Sequence, residues 1–208
     1  LISFFPQRRW HSTNVELGLV NVIKALFKIG ITVIFQAPFS SLHLRGATFS
    51  VNNKPSIVLT DYKGFYPTLW HCLVHELYHV LFDWEEIRAN SYHLTEDANE
   101  LLTIDPKEME ADNFAREYLF SISKMDEVRT NIRDSYYIEK IAKSNNVHPS
   151  IIYIYNAFDN DKTDRMVWAR ARRQMPEIRK SIYHLENPWN NPKPIDEIAK
   201  KRKLEIYN

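Results

Sequence analysis

Three histidines and a glutamate lie within one otherwise apolar stretch of this chain, TLWHCLVHELYHVLF. His75, Glu76 and His79 form the pattern H-E-x-x-H. On a helix this spacing places both imidazoles on one face, where they can bind the same metal ion. Glu76 lies beside that pair and is suited to act as the base on a metal-bound water. The pattern predicts a zinc site with His75 and His79 as ligands and Glu76 as the catalytic residue.

The alternative for this cluster is a set of polar side chains that hydrogen-bond one another in the core. Apolar residues fall on every side of the helical wheel between Leu69 and Phe82, which predicts a helix that is buried nearly all round. Burial of two imidazoles and a carboxylate without strong partners is costly in free energy. A bound zinc ion compensates for this cost directly, and we therefore favour the metal site.

A catalytic zinc site needs a third protein ligand and an open position for water. One candidate is Glu85, which follows His79 by six residues, but Phe82 replaces the glycine that this longer pattern requires. We therefore expect Glu85 to be a solvated residue near the helix end. The other route takes a glutamate from a later helix.

The segment KEMEADNFA offers two such glutamates, Glu108 and Glu110. On a helical wheel Glu108 lies roughly 60° from the centre of the apolar arc and Glu110 roughly 100°, so Glu108 is closer to the buried side. Asp112, one turn later, can orient a liganding histidine through the free ring N–H. Glu108 also fits a capping box that begins at Asp105. We favour Glu108 as a metal ligand, with Glu110 as the reserve candidate.

His71 and Cys72 lie on the same helix as the predicted ligands. His71 precedes His75 by one helical turn, but a fourth protein ligand would close the coordination sphere. We therefore expect His71 to support the site or to pack beside it. A site of two histidines and one carboxylate does not need a thiolate, and Cys72 is expected to be a small buried apolar residue.

The elements around the site follow from the same sequence. Apolar positions at helical spacing predict a first helix over residues 13–28, and Gly30 is its stop signal. ITVIFQ, GATFSV and PSIVLT predict three strands of a small sheet. TIDPKEMEADNFAREYLFSIS predicts a helix with Asp105 as N-cap and Pro106 at its first position. The intervening segment, EEIRANSYHLTEDANELL, is predicted to be an exposed connection.

The C-terminal part is predicted to be mainly helical from about residue 130. SYYIEKIAKSNNVHPSIIYIYNAF predicts two short helices around an Asn-Asn turn, and RMVWARARRQMPEIRK predicts one amphipathic helix. The arginines of the latter are expected to form a solvated face, so nucleic-acid binding through this chain is not expected. We assign residues 1–184 to one domain and residues 185–208 to a Pro/Asn spacer with a basic tail.

Composition and charge restrict the class of protein. The chain has 208 residues, of which 44% are hydrophobic, enough for one substantial core. Its net charge of +1 provides no global attraction to nucleic acid or membrane. Charged residues such as Lys24 interrupt the most apolar early run, so no transmembrane segment is predicted. The single cysteine and the absence of an apolar leader indicate a reducing compartment, and we expect a cytoplasmic protein.

The motifs HELYH and EMEADNFA, with the strand before them, resemble the ImmA/IrrE family of metallopeptidase domains. RGATFSVNNKPSIVLTDYKGFYPTLWHCLVHELYHVLF and YIEKIAKSNNVHPSIIYIY are similar to the branch associated with helix-turn-helix regulators and HigA-type antitoxins. The resemblance covers about residues 30–158. It implies an α+β, zincin-like fold in which a small antiparallel or mixed sheet packs on the buried H-E-x-x-H helix. The chain begins with Leu1, and we expect that a start or a whole preceding module has been removed.

The resemblance also implies a function. Known members cleave or control repressors in phage, mobile-element and stress responses. The implied activity is that of a zinc-dependent endopeptidase, which cleaves a specific intracellular protein such as a transcriptional repressor or an antitoxin-type partner. The resemblance implies that residues 1–184 form a metallopeptidase domain, in which His75, His79 and a glutamate of the second helix bind zinc and Glu76 activates the zinc-bound water. The alternative is a regulatory or antitoxin-like binding module without turnover, but the intact H-E-x-x-H motif favours the enzyme.

Three features depart from the usual family pattern. Tyr78 occupies the place of a common glycine inside the motif, which bears on substrate access more than on metal binding. Asp83 replaces a frequent histidine, and LFSIS replaces the usual apolar-Pro ending of the second helix. An extended substrate is expected to pair with an edge of the strand PSIVLT. Among possible groups for the oxyanion, Tyr153, Tyr155 and His148 are each expected to be core or turn material instead.

Overall fold

A computed structural model of the protein describes residues 9–37, 44–61, 64–90, 92–96, 106–186 and 188–189. The elements in chain order are a 3-10 helix (Arg9–Thr13), α1 (Gly18–Lys28), β1 (Thr32–Phe35), β2 (Leu44–Val51), β3 (Lys54–Leu59), α2 (Tyr66–Phe82), α3 (Trp84–Asn90), β4 (Tyr92–Glu96), α4 (Pro106–Phe120), α5 (Ile122–Val128), a second 3-10 helix (Arg129–Asn131), α6 (Ser135–Ser144), α7 (Pro149–Asn160), α8 (Val167–Arg173) and α9 (Ile178–Glu186).

The strands form one small mixed sheet with the order β1-β3-β2-β4. β1 pairs in parallel with β3, and β2 pairs antiparallel with both β3 and β4. Asn52 and Asn53 connect β2 to β3 with φ angles of 50° and 60°, the left-handed conformation that tight hairpin turns need and asparagine tolerates. The predicted α+β class with a mixed sheet is confirmed.

Two predictions about the sheet are wrong. The strand PSIVLT, which is β3, pairs with a strand on each side, so it offers no edge to a substrate peptide. The segment predicted as an exposed connection contains α3 and β4. β4 is five residues long and is held in the sheet by pairing with β2, a partner far away in the sequence. A local pattern carries little information about such a strand.

Helix α2 runs through the centre of the molecule and packs on β2, β3, α4 and α7. Large side chains on several sides of it are almost completely buried, including Trp70, Leu73 and Leu77. Each such side chain stabilises the fold by about 1.5–3 kcal/mol relative to exposure. The helix is buried nearly all round, as its sequence predicts, and it carries its polar residues into the interior.

Helix α4 begins at Pro106, in agreement with the predicted first helical position. The predicted N-cap, Asp105, lies outside the described residues. Ala111, Ala115 and Leu119 form the buried stripe of the helix. Small residues in this stripe allow close approach, and α4 packs lengthwise on α2. The packing brings the first turn of α4 to the C-terminal half of α2.

The C-terminal helices surround this pair. α6 and α7 are the two predicted helices around the Asn-Asn turn, in which Asn146 has a φ of 55°. Asp134 and His148 cap the two helices by accepting backbone N–H hydrogen bonds. The single helix predicted from RMVWARARRQMPEIRK is wrong, because it is divided into α8 and α9 around Pro176. Within the described part of the chain, no helix is both long and apolar enough to cross a membrane.

Candidate metal centre

Two helices bring two imidazole nitrogens and one carboxylate together. Nε2 of His75 lies 3.2 Å from Nε2 of His79, one turn further along α2. Glu108, in the first turn of α4, places its Oε2 3.3 Å from His75 Nε2 and its Oε1 3.3 Å from His79 Nε2. The three residues can hold a metal ion, since their ligand atoms lie within 4.8 Å of one another.

Asp112 determines which nitrogen His75 presents to this group. Its Oδ1 lies 2.9 Å from Nδ1 of His75. An ionised carboxylate can only accept a hydrogen bond, so Nδ1 must carry the proton that is donated. The proton of the neutral imidazole is therefore on Nδ1, and the lone pair of Nε2 points to the other ligand atoms. Asp112 lies one turn after Glu108 on α4, so one helix supplies both the carboxylate of the group and the residue that orients His75.

His79 is oriented in the same way by a residue that the sequence reasoning did not assign. Nδ1 of His79 lies 2.8 Å from Oδ2 of Asp83, the residue at the C-terminal end of α2. Asp83 follows His79 by four residues, and this spacing on a helix was the signal that could have identified it. Both histidines therefore donate from Nδ1 to a carboxylate and leave Nε2 for a cation.

The resulting arrangement attracts positive charge. Nε2 of both histidines meets the carboxylate of Glu108 where the two histidine side chains are almost fully buried and the Glu108 side chain is partly buried. Burial lowers the pKa of His75, but hydrogen bonds to Asp112 and Glu108 and the charge of Glu76 outweigh it and raise the pKa to about 10. The direction of this shift agrees with a site that favours positive charge.

Glu76 lies next to this group and is completely buried. Its Oε2 accepts a hydrogen bond of 2.6 Å from the hydroxyl of Thr48 on β2. Its Oε1 has no hydrogen-bond partner within the described part of the chain. A buried carboxylate oxygen without a donor is costly, and it marks a place where a water or substrate proton can be accepted.

Gly46 provides the space for that oxygen. A Cβ atom at position 46 would lie 2.5 Å from Oε1 of Glu76 and 2.6 Å from Sγ of Cys72, closer than van der Waals contact allows. The side chain of Glu76 therefore depends on a glycine in the facing strand. Cys72 is buried, and burial raises the pKa of its thiol well above the usual value, in keeping with the expected apolar role.

His71 joins the site from the other side of Asp112. Its Nε2 lies 3.0 Å from Oδ1 of Asp112, and its Nδ1 lies 3.0 Å from the hydroxyl of Tyr155. Burial lowers the pKa of His71, although hydrogen bonding to Asp112 opposes this shift. A neutral His71 donates to Asp112 and accepts from Tyr155. The ligand atoms of His71, His75 and Asp112 also lie within 4.8 Å of one another. Hydrogen bonds from the two histidines to Asp112 explain these short distances without a metal ion.

The other candidate ligands lie apart from the group. Oε2 of Glu110 accepts a hydrogen bond of 2.6 Å from the hydroxyl of Tyr78, and this bond raises the pKa of Tyr78 to about 12. Glu85 is exposed and pairs with Arg88, as expected of a solvated residue. Of the proposed third ligands, only Glu108 meets the two histidines among the described residues.

The groups considered for an oxyanion have structural roles. His148 caps α7 through its Nδ1, which accepts from Ser150 N–H at 3.1 Å. Tyr153 is buried in the core, and the hydroxyl of Tyr155 is hydrogen-bonded to Nδ1 of His71. Burial strongly raises the pKa of Tyr155. These positions agree with the expected turn and core material.

In comparisons with known proteins, no family model matches the chain, and no curated protein or solved structure matches it significantly. The resemblance to the ImmA/IrrE family therefore stays a prediction that rests on the motifs in α2 and α4. What the structure adds is independent of that resemblance: a buried group of two histidines and a glutamate that can hold a metal ion.

Proposed function

We propose that the chain is a zinc-dependent endopeptidase. The observation that carries the proposal is the meeting of His75, His79 and Glu108, in which the two Nε2 atoms and the Glu108 carboxylate lie within 3.3 Å of one another. A divalent cation can take the place of a proton between these groups. Two histidines and one glutamate leave a coordination position open, and this ligand set is typical of catalytic zinc.

The residues around the group have separate roles in this proposal. Asp112 and Asp83 hold the imidazole N–H groups and fix the direction of each ring. When bound, zinc supplies a Lewis acid that polarises a carbonyl and acidifies water. Glu76 takes up the proton at Oε1, which has no hydrogen-bond partner among the described residues, while Thr48 holds Oε2. The buried surroundings exclude bulk water and strengthen the electrostatic effect of each group.

The proposed substrate is a flexible segment of a specific intracellular protein, with a transcriptional repressor or an antitoxin-type partner as the first candidates. The support for this class of partner is the resemblance of HELYH and EMEADNFA to the ImmA/IrrE family. A second support is the exposed apolar surface beside the site. The rings of Tyr78, Phe82 and Phe114 contact one another in tilted and edge-on arrangements, and Phe82 and Met109 are 58% and 52% exposed. Exposed apolar clusters of this kind are typical of protein contacts.

The first test is the metal content of purified variants. We expect one zinc per chain in the wild type and in Glu76→Gln, and little zinc in Glu108→Ala. Glu110→Ala is the matched control, because it removes a neighbouring carboxylate of α4 that lies outside the group. A wild type without stoichiometric metal, or equal loss in both alanine variants, would contradict the ligand assignment.

The second test separates an enzyme from a binding module. New protein N-termini are mapped in cells that express the wild type or Glu76→Gln, which differ by one carboxylate oxygen. Cleavage products that require Glu76 support the peptidase. The alternative, a binding module that keeps the fold and metal, is favoured by the same exposed aromatic cluster. It predicts identical N-termini for both variants and a protein partner that both variants bind.

A further inference from the structure

A cavity of about 300 Å³ lies beside the candidate metal centre, between β2, α2, α4 and α7. Its wall includes His75, so it begins at one of the residues that can hold a metal ion. Much of the remaining wall is apolar, and the rings of Tyr155 and Phe158 contribute to it. This volume is at the lower end of the range for ligand pockets, and it suits one side chain better than a cofactor.

Two charged side chains in the wall, Arg116 and Asp112, are compensated by their neighbours. Arg116 donates two hydrogen bonds to Asp159, at 2.7 and 2.5 Å, and its guanidinium carbon lies 5.0 Å from the ring centre of Tyr155. Asp112 accepts hydrogen bonds from two histidines, which hold its pKa far below the usual value although burial acts in the opposite direction. Since these charges have partners, they do not require a charged ligand.

A bulge in β2 shapes the opposite wall. The pairing of β2 with β4 shifts its register between Leu44 and Gly46, which makes Arg45 the extra residue. Bulges of this kind redirect a side chain, and Arg45 lines the cavity. Its carbonyl oxygen accepts from the N–H of Thr60 at 3.1 Å and from the thiol of Cys72 at 3.0 Å. The sheet and α2 thus fix this wall together.

We propose that the cavity receives an aromatic side chain of the substrate, next to the bond that is cleaved. His75 belongs both to the cavity wall and to the group that can hold a metal ion, so a peptide bound at this group would have a neighbouring side chain next to the cavity. The apolar walls, the two rings of α7 and the planar guanidinium of Arg116 favour an aromatic group. This inference rests on the proposed function and adds a substrate class to it.

Amino-acid hydroxamates test the inference without knowledge of the natural substrate. The hydroxamate group binds the metal, and the amino-acid side chain can then enter the adjacent cavity. Cobalt-loaded protein is titrated with the N-acetyl hydroxamates of phenylalanine, alanine and aspartate, and the visible absorption of cobalt reports binding. We expect the phenylalanine compound to bind at least about tenfold more tightly than the alanine compound, and the aspartate compound to bind no better than alanine.

Two variants, each of which lacks one phenylalanine ring, test whether the cavity causes the preference for the phenylalanine compound. Phe158→Ala removes an aromatic ring from the cavity wall and should reduce the preference for the phenylalanine compound several-fold. Phe27→Ala is the matched control, since both rings are about half exposed and each packs edge-on against a tryptophan. Phe27 lies on α1, outside the cavity, and its substitution should leave the preference unchanged.

The possible outcomes separate this inference from the proposed function. Cobalt-loaded protein that binds the three hydroxamates equally, or prefers the aspartate compound, overturns the aromatic pocket and leaves the metal centre in place. A preference that survives in Phe158→Ala, or that disappears in both variants, overturns the assignment to this cavity. Protein that binds no cobalt overturns the proposed function, and the inference fails with it.

Discussion

Two carboxylates decide which nitrogen each histidine of the centre offers to a cation. Asp112 holds Nδ1 of His75 at 2.9 Å, and Asp83 holds Nδ1 of His79 at 2.8 Å. Without these acceptors each ring could place its proton on either nitrogen and could rotate. In the proposed metal centre, part of the affinity would therefore come from residues outside the ligand group.

Substitution of Asp112 tests this dependence. We expect Asp112→Ala to lower zinc affinity by about 10–100-fold, because His75 loses the acceptor that orients its ring. Competition with a chromophoric chelator measures the affinity. Asp126→Ala is the control, since Asp126 is an exposed carboxylate on α5 that pairs only with nearby Arg129 among the described residues. Equal affinities of Asp112→Ala and wild type would show that ring orientation does not limit binding.

The pKa of His75 predicts a pH dependence of metal binding. The pKa of about 10 lies above the ordinary value of 6.5. We therefore expect His75 of the metal-free protein to carry protons on both ring nitrogens at neutral pH. Zinc must displace one of these protons, and affinity should rise by about tenfold per pH unit as the pH increases toward 10. The stabilisation of metal-free protein by protonated His75 is complete below pH 6.5 and disappears as the pH rises through about 10.

Calorimetry in buffers with different ionisation enthalpies measures the proton that is released. We expect about one proton per zinc at pH 7.5 from His75. Zinc affinity that stays constant between pH 7 and 9, with no proton released, would contradict the predicted protonation.

At the residue scale, helical spacing alone predicted the grouping of the central residues. His75 and His79 share a face because they are four residues apart, and Glu108 and Asp112 repeat that spacing on α4. The partners from the sheet, Thr48 and Gly46, were not predicted. Their contact with Glu76 depends on how β2 packs against α2, and no local pattern records this packing.

At the element scale, the contact between β2 and α2 controls the position of Glu76. Gly46→Ala would place a methyl group 2.5 Å from Oε1 of Glu76. We expect the free energy of unfolding to fall by about 1–3 kcal/mol, as for other overpacked sites, because the strand or the helix must move. Urea denaturation measures the change.

Ser50→Ala is a control for this substitution in the same strand. Ser50 is partly buried on β2, and its substitution should alter the free energy of unfolding by no more than about 0.5 kcal/mol. A Gly46→Ala protein as stable as this control would mean that Glu76 can move aside without cost. In that case the metal content and activity of the Gly46→Ala protein would show whether the carboxylate of Glu76 has moved.

The elements themselves were predicted unevenly. α2, α4, α6 and α7 have strong periodicity and clear start signals such as Pro106 and Pro149, and these helices were anticipated. β4 and the division between α8 and α9 were missed. β4 exists through its pairing with β2, and Pro176 interrupts an amphipathic pattern that on its own predicts one helix. Long-range pairing is the part of the fold that the sequence pattern does not contain.

For the whole molecule, metal binding should raise thermal stability. A ligand that binds only the folded state stabilises it by about 2.7 kcal/mol when its free concentration is 100 times Kd. In a chain of 208 residues this corresponds to an increase in Tm of roughly 5–11 °C. Differential scanning calorimetry with and without a chelator measures the shift.

Magnesium is the control for this measurement. It prefers oxygen ligands in octahedral geometry, whereas this centre offers two imidazole nitrogens. The same concentration of magnesium should therefore leave Tm unchanged. An equal shift with both metals would indicate general binding to surface carboxylates, and a zinc shift that persists in Glu108→Ala would place the binding elsewhere.

A metal held by α2 and α4 would also join two distant parts of the chain. Glu108 follows His79 by 29 residues, and closing a loop of this length costs conformational entropy. A metal bound to both ends reduces the freedom of the open chain, as a disulfide does, but the link can be removed and restored by changes in zinc concentration. The centre would thus act as a reversible cross-link between α2 and α4. The local concentration of zinc would determine how strongly the packing of α4 against the rest of the molecule is stabilised.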